Sequence, residues 1–353
     1  MAKSKSAQSD TAADPSAKKV NLRELAEHLG LSVATVSLVM NRSPAAKSIP
    51  QQTQIRVRVA ARELNYRPNA MARMLRQRRS FTIGVIVPEI SEGYAALVLS
   101  GIEDHLLQEG YFYFVMSHRH KNDLIEEYPG LLQERGVEGL IFVDTTCSGR
   151  ISVPAVAISG HRHVEGVTNI TLNHTRAARL ALDYLTEQGH RQIAFIKGQA
   201  FSSDTEVRWK AVRAAAQAAG LSIEEKLVVQ LDSESPTSQP GYEAGRRLLE
   251  NSKPFTALFS FNDISAIGAI RALREAGRRI PEDVSVVGFD DIQSAAFQNP
   301  SLTTIRQPLR EMGMSAAETL LKRIANSPKD DYPRSIVVEP ELVIRASTGR
   351  AAK

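Results

Sequence analysis

The chain has 353 residues, 42% of them hydrophobic, and its 44 Lys and Arg against 39 Asp and Glu give a formal net charge of +5. A single cysteine, Cys147, allows neither an internal disulfide framework nor a cysteine-based metal site and fits a reducing compartment. No run reaches the roughly 18 apolar residues of a bilayer span and Met1 to Ala17 lacks a secretory apolar stretch, so a cytoplasmic protein is expected. The charge is also uneven. Positions 1–80 carry 15 basic and 5 acidic residues, a net of +10, while the remainder carries 29 against 34, a net of −5. A basic head on a mildly acidic body points to a nucleic-acid or other anionic partner for the head.

Residues 1–19 are too polar to offset the entropy of ordering and read as a disordered tail. Leu22, Leu25, Ala26 and Leu29 follow one face of a helix that Asn21 can cap and Gly30 ends. Ser32 can cap a second short helix with Val36, Val39 and Met40 on its inner side. A third begins near Pro50, turns Val57, Ala60, Ala61 and Leu64 inward, and must stop before Pro68. Three short helices with a tight turn between the first two describe a helix-turn-helix over 20–66. The segment 67–79, with Arg73, Arg76, Arg78 and Arg79, links this head to the body.

From Phe81 the pattern becomes strand–helix alternation. Strand-like runs are read at Phe81–Val87, Tyr111–Ser117, Gly139–Asp144 and Val156–Ser159, with a helix through Leu97, Gly101, Ile102 and Leu106. A second series follows Asn173, with strands at Gln192–Ile196, Lys226–Leu231, Phe255–Phe261 and Val284–Phe289, each separated from the next by a helix. Such alternation implies α/β architecture with parallel sheets, here two lobes with a cleft between them at the carboxyl ends of the strands.

The stretch Val20-Asn-Leu-Arg-Glu-Leu-Ala-Glu-His-Leu-Gly-Leu-Ser-Val-Ala-Thr-Val-Ser-Leu-Val-Met-Asn41 resembles the headpiece of the LacI/GalR family of bacterial transcriptional regulators. Glu63-Leu64-Asn65-Tyr66-Arg67-Pro68-Asn69 and Ala72-Arg73-Met74-Leu75-Arg76 match its third helix and hinge. The body matches at Ile83-Gly84-Val85-Ile86-Val87-Pro88, Arg135-Gly136-Val137-Glu138-Gly139-Leu140-Ile141, Gly189-His190-Arg191-Gln192-Ile193-Ala194, Pro281 to Asp291 and Leu302 to Pro308. The resemblance covers about residues 20–347 in one consistent order. It implies an all-α headpiece and hinge followed by a periplasmic-binding-protein-like core over 80–353, whose two parallel-sheet lobes interleave by crossings near 173, 307 and 336.

A recognition helix offers its first turn and outer face to base edges in the major groove. That places Val33, Ala34, Ser37 and Leu38 toward bases and Ser32, Thr35 and Asn41 toward phosphates, with Asn21 and Tyr66 as further candidates for DNA contact. Relatives often carry larger polar residues at the positions of Val33, Ala34 and Leu38, so readout here would rest on thymine methyls and shape. In the hinge, Leu75 matches the family leucine wedged into the minor groove, with Asn69, Ala72 and Arg76 beside it. The alternative for Leu75 is packing of the linker on the body.

In the body, the resemblance assigns effector binding to Asp290 and Arg208, Asn262 is a further candidate because it falls at another strand end, and Tyr94 can stack on a sugar ring. Asp263 reads as a helix N-cap. Glu92-Gly93-Tyr94-Ala95 replaces a more aromatic family segment, and Ser159-Gly160-His161 and Asn173 also depart from the family pattern. His118, His120, His161 and His163 lack a converging carboxylate or cysteine pattern, so no metal is expected; no cofactor is implied either. No P-loop, nucleophile elbow or dinucleotide fingerprint stands in strand–helix context, which argues against an enzyme.

The expected function is therefore a sequence-specific DNA-binding regulator, in its usual form a repressor. It would bind a palindromic operator as a homodimer, because one small headpiece reads only a half-site. A small molecule in the cleft, a sugar or sugar derivative by family likeness, would control it, and no membrane partner is expected. The absence of leucine heptads after Ser347 favours a dimer over a tetramer. The alternative is a cytosolic or exported solute-binding protein with no DNA-binding role, and the complete headpiece argues against it. Leu75→Ala is expected to weaken specific operator binding much more than non-specific binding, since it removes a kink and leaves the phosphate contacts; equal losses in salt-titrated gel shifts would refute the wedge.

Overall fold

A computed structural model describes residues 20–41, 43–66, 79–90, 93–147, 151–160, 162–232, 235–251, 253–325 and 332–352. The tail 1–19, most of the expected hinge with Asn69, Ala72, Leu75 and Arg76, and also Glu92 and His161, lie outside these residues. The chain divides into two compact units, Met1–Arg79 and Ser80–Lys353.

The first unit contains α1 (Leu22–Leu29), α2 (Val33–Met40) and α3 (Gln51–Glu63), with a short 3-10 turn at Pro44–Ser48. Each helix end has a local reason. The Asn21 side chain accepts from the Arg23 and Glu24 amides while the Glu24 carboxylate accepts from the Asn21 N–H, a reciprocal capping box. Gly30 closes α1 at φ +63°, a left-handed conformation that glycine adopts without steric cost. Leu25, Ala26, Val36, Val39, Val57, Ala60 and Ala61 form the buried core, flanked by Leu22, Leu29, Met40, Leu64 and Tyr66. All but Tyr66 are side chains that the helical periodicity turned inward.

The second unit holds two six-stranded sheets. The first lobe is built from β1 (Thr82–Val87), α4 (Tyr94–Gln108), β2 (Phe112–Ser117), α5 (Asn122–Glu134), β3 (Gly139–Val143), β4 (Ala155–Ile158) and β5 (Val167–Leu172). The second follows with α6 (His174–Glu187), β6 (Ile193–Lys197), α7 (Ser203–Ala218), β7 (Val228–Gln230), α8 (Gln239–Glu250), β8 (Ala257–Ser260), α9 (Asp263–Glu275), β9 (Ser285–Asp290), α10 (Gln293–Phe297) and β10 (Thr303–Arg306). The chain then returns to the first lobe for α11 (Leu309–Ala325) and β11 (Ser335–Val338), and ends in the second lobe with β12 (Glu341–Val343).

The sheet orders are β11-β5-β4-β3-β1-β2 and β12-β10-β9-β8-β6-β7. Among the described residues, all the ladders are parallel except β10 with β12, which is antiparallel. The interior strands β1, β3, β4, β8 and β9 are buried along their whole length, as strands covered on both faces must be. The chain passes between lobes at Asn173, at Gln307 and at Glu339–Pro340. This last passage lies beyond position 336 because β11 pairs with β5 as far as Val338.

Helix α11 reaches back from its late position to cover the first sheet and crosses α4 with almost no space between backbones. A Cβ on Gly101 would lie 1.9 Å from the Arg310 carbonyl oxygen, and one on Gly313 would lie 2.1 Å from that of Val98. Helices α8 and α9 meet in the same way through Gly241 and Gly268. Gly101→Ala is expected to lower the stability of the second unit by about 1–3 kcal/mol or more, because backbone rather than a flexible side chain blocks the methyl. Urea unfolding that leaves the midpoint unchanged would contradict this close approach.

Candidate functional site

On the first unit, α2 exposes Ser32, Val33 and Ala34 and half-buries Thr35, Leu38 and Asn41. The Ser32 Oγ accepts from the Thr35 N–H at 3.1 Å and lies 2.8 Å from the Thr35 Oγ1, so both hydroxyls order the first turn. Ser37, expected toward bases, is instead buried. Its Oγ and backbone carbonyl accept from the Asn41 Nδ2 at 3.1 and 2.8 Å, because position 37 turns toward the Val36–Val39 side of the helix. The outward face therefore comprises Val33, Ala34 and the partly exposed Leu38, an apolar surface. Tyr66 packs on the headpiece core beside a surface depression lined by Arg58, Arg62 and Asn65.

On the second unit, the loops at the carboxyl ends of both sheets line a cleft that is open to solvent, with about 130 Å³ of cavity volume. Tyr94, Arg208, Asn262 and Asp290, which lie nearly 200 positions apart at the extremes, all line it. Asn262 ends the loop after β8 and caps α9. Its Oδ1 accepts from the Ser265 N–H at 2.9 Å, and the Ser265 hydroxyl returns the capping-box contact to the Asn262 N–H. Asp263, expected as this cap, is the first helical residue. It is fully buried, with Oδ1 accepting from Thr304 Oγ1 at 2.6 Å and Oδ2 from the Ile292 N–H at 2.9 Å. Burial and the neighbouring Asp290 push its pKa well up.

Arg208 is the electrostatic centre of the cleft wall. Its guanidinium lies 3.7 Å from the Phe289 ring centroid and 4.4 Å from that of Phe261. It donates to Asp204 Oδ2 at 3.0 Å and to the Phe261 carbonyl, while Asp204 Oδ1 lies 3.3 Å from the His174 ring. The Arg208 Nε is buried with no hydrogen-bond partner among the described residues. Asp204 was not singled out from the sequence, although its i, i+4 spacing to Arg208 is a pairing signal.

Asp290 ends β9 with φ +110°, and Asp291 follows at +59°, so two successive non-glycine residues leave the strand in the left-handed half of backbone space. Gln307, at the second passage between lobes, donates from Nε2 to Asp290 Oδ1 at 2.6 Å. Asp291 accepts from Arg306 at 2.7 Å and from Arg345 at 2.6 Å, anchoring the turn. Burial raises the Asp290 pKa to about 7 against the opposing pull of Arg208 and Gln307.

From the first lobe, the Tyr94 hydroxyl donates to Ser159 Oγ at 2.8 Å, and its own pKa is pushed well up by burial and by Asp204 and Asp144. His118 is buried. Its Nδ1 accepts from the His120 N–H, which leaves Nε2 to donate to Thr145 Oγ1 at 3.0 Å, and burial lowers its pKa to about 4. Among the described residues no group of three or more His, Cys, Asp or Glu converges on a metal position, and no helix is long and apolar enough to cross a membrane.

The matches to known proteins divide as the chain does. Residues 21–69 match the family described as bacterial regulatory proteins, lacI family, and residues 182–348 match the periplasmic binding protein-like domain. The HTH-type transcriptional repressor PurR of Aliivibrio fischeri (strain ATCC 700601 / ES114) is 32% identical over 340 residues, covering 94% of this chain and 99% of that protein. The chain belongs to the lacI family of bacterial regulatory proteins. Among solved structures, the Lac repressor dimer bound to operator and the anti-inducer ONPF superposes with a TM-score of 0.79 at 26% identity, over 94% of this chain and all of that one. The complex of the transcriptional regulator CelR with cellobiose gives 0.68 at 29%, over 93% of this chain and all of that one. This lacI-family chain is thus a DNA-binding transcriptional regulator under small-molecule control, and its relatives are regulators rather than enzymes.

The Asp290 environment gives the family member a pH signature. Its carboxyl has a higher pKa folded than unfolded, so the native state holds the extra proton between about pH 4 and 7. Stability should then fall as pH rises through that window, the cost being absent below it and complete above it, on the order of 4 kcal/mol for a shift of about three pH units. Asp290→Asn keeps the acceptor for Gln307 but cannot ionise. Urea unfolding at pH 4.5 and 7.5 is expected to show the variant gaining stability relative to the parent at the higher pH; parallel pH profiles would exclude the raised pKa.

Proposed function

We propose that this lacI-family protein is a repressor that binds a near-palindromic operator as a homodimer and is controlled by an uncharged polyhydroxy molecule, a sugar or sugar derivative, held between the lobes. The observation that carries the effector assignment is the convergence of Tyr94, Arg208, Asn262 and Asp290 on one cleft. A carboxyl, an amide and a guanidinium converging on one space suit vicinal hydroxyls, and Tyr94 and Phe201 offer faces for a ring. Among the described lining residues, the carboxyl groups of Glu89, Asp144, Asp204 and Asp290 outnumber the arginine Arg208, which disfavours a phosphate ester. The CelR–cellobiose relative agrees with a carbohydrate.

For the operator, Val33, Ala34 and Leu38 would meet thymine methyls, with Ser32, Thr35, Asn41, Asn21 and Tyr66 near the backbone. Asn69, Ala72, Leu75 and Arg76 would act in the minor groove by their likeness to the family hinge. Self-association is supported by the edge strand β2, where Phe112 and Phe114 are 73% and 50% exposed next to an exposed Leu107.

A gel shift with the DNA upstream of the protein's own gene is expected to give a complex that weakens steeply with salt. With a carbohydrate panel added, one ligand should change that affinity. Asp290→Ala should remove this response and leave basal DNA binding in place. Failure to bind any fragment of its own genome, with or without ligand, would overturn the regulator reading, and a normal response in the variant would overturn the site.

A further inference from the structure

Helix α7 presents Asp204 and Arg208 to the cleft, yet its N-cap residue Ser202 makes no capping bond with its own side chain. The first amides of a helix need an acceptor from somewhere. It comes from the other lobe. Asp144, the residue after β3, accepts at Oδ1 from the Ser203 N–H at 3.2 Å and from Ser203 Oγ at 2.6 Å, and at Oδ2 from Ser202 Oγ at 3.4 Å. Ser203 Oγ also lies 2.5 Å from the Ser159 carbonyl oxygen after β4.

Beside these contacts, the His120 ring, in the loop after β2, packs on Phe201 with centroids 3.8 Å apart. Three strand ends of the first lobe therefore grip residues 201–203 of the second. Asp144 itself sits at φ +40°, a conformation that a non-glycine residue keeps only when its surroundings hold it.

We propose that Asp144 is a positioning residue that caps α7 from the opposite lobe and latches the cleft shut. Closing the cleft and ordering the first turn of the helix that carries Asp204 and Arg208 then become one equilibrium. When the lobes part, the Ser203 amide loses its acceptor and the turn frays; a molecule that favours the closed form finds both charged groups already placed. The consequence for effector binding rests on the cleft reading above, but the latch itself is a property of the ligand-free protein.

Amide hydrogen exchange on the full-length, ligand-free protein tests it. In Asp144→Ala, the peptide spanning 199–208 is expected to exchange at least tenfold faster, and so is the peptide 118–122 that carries His120 on the other lobe, with β6 and β8 unchanged. Asp144→Asn, which keeps an acceptor oxygen, and Ser203→Ala, which keeps the backbone amide, should give smaller increases in the same two peptides. Unchanged exchange at 199–208, or faster exchange there with none at 118–122, would overturn the latch, the second result marking a local cap only. Should Asp144→Ala exchange quickly everywhere through loss of fold, the other two variants decide by the same criterion. Because no effector is added, a protein that answers to no carbohydrate would leave this result standing.

Discussion

A guanidinium taken out of water must be surrounded by groups that replace water, and in this protein that requirement organises the cleft. Arg208 is held by two phenylalanine faces, by the Asp204 carboxylate and by the Phe261 carbonyl. Those partners come from the loop after β8, from β9 and from α7, so the charge can be buried only when these elements are assembled. Removing one partner of such a pair leaves the other charge buried and uncompensated, which costs more than the pair itself contributes. Asp290 sits in the same low-dielectric wall, and its raised pKa is the other side of that arrangement. This wall thus pairs the Arg208 cation firmly and holds the Asp290 carboxyl at an electrostatic cost.

Much of this could be read from the amino-acid order. The periodicity of Leu22, Leu25, Ala26 and Leu29, and of Val57, Ala60 and Ala61, gave the headpiece core, because a short helix with one buried face leaves few alternatives. The interior strands were legible as continuous apolar runs. Strand β5 was not, since Val-Thr-Asn-Ile-Thr-Leu alternates and its outer edge pairs with β11, more than 160 residues away, and neither was the polar interior strand β10, Thr-Thr-Ile-Arg. Helix α5 carries an internal Pro129 that hides its period.

At the site, Arg208 and Asp290 were legible through the family likeness, Asn262 as a strand-end residue and Tyr94 as a ring able to stack. The passage near Gln307 was legible too, but the contacts of Asp144 and Gln307 were not, since nothing local in Phe-Val-Asp-Thr or Arg-Gln-Pro points to their partners. The rule that ligands sit beyond strand ends marks Asp144 as a position of interest, but its partner follows only from how the two lobes face each other. Asp263 illustrates the opposite error. A residue type that suits a cap was displaced by one position, because Asn262 takes the cap and frees Asp263 to tie β10 to the Ile292 amide.

The three passages between lobes also have a consequence for synthesis. When the ribosome has made the last strand of the main second-lobe series, β10, the first lobe still lacks α11 and β11, the helix that closes against the Gly101 face of α4 and the strand that completes its sheet edge. The second lobe lacks the short strand β12 and the segment 345–351 that bonds to β9, β10 and the Asp291 turn. The nascent chain therefore has the means to complete its carboxyl-side lobe nearly as early as its amino-side one, and the amino-side lobe waits with an uncovered apolar seam until late in translation. Two lobes that look alike in the finished molecule would thus be unequal while it is being made, with the first lobe more exposed to chaperones and to premature association.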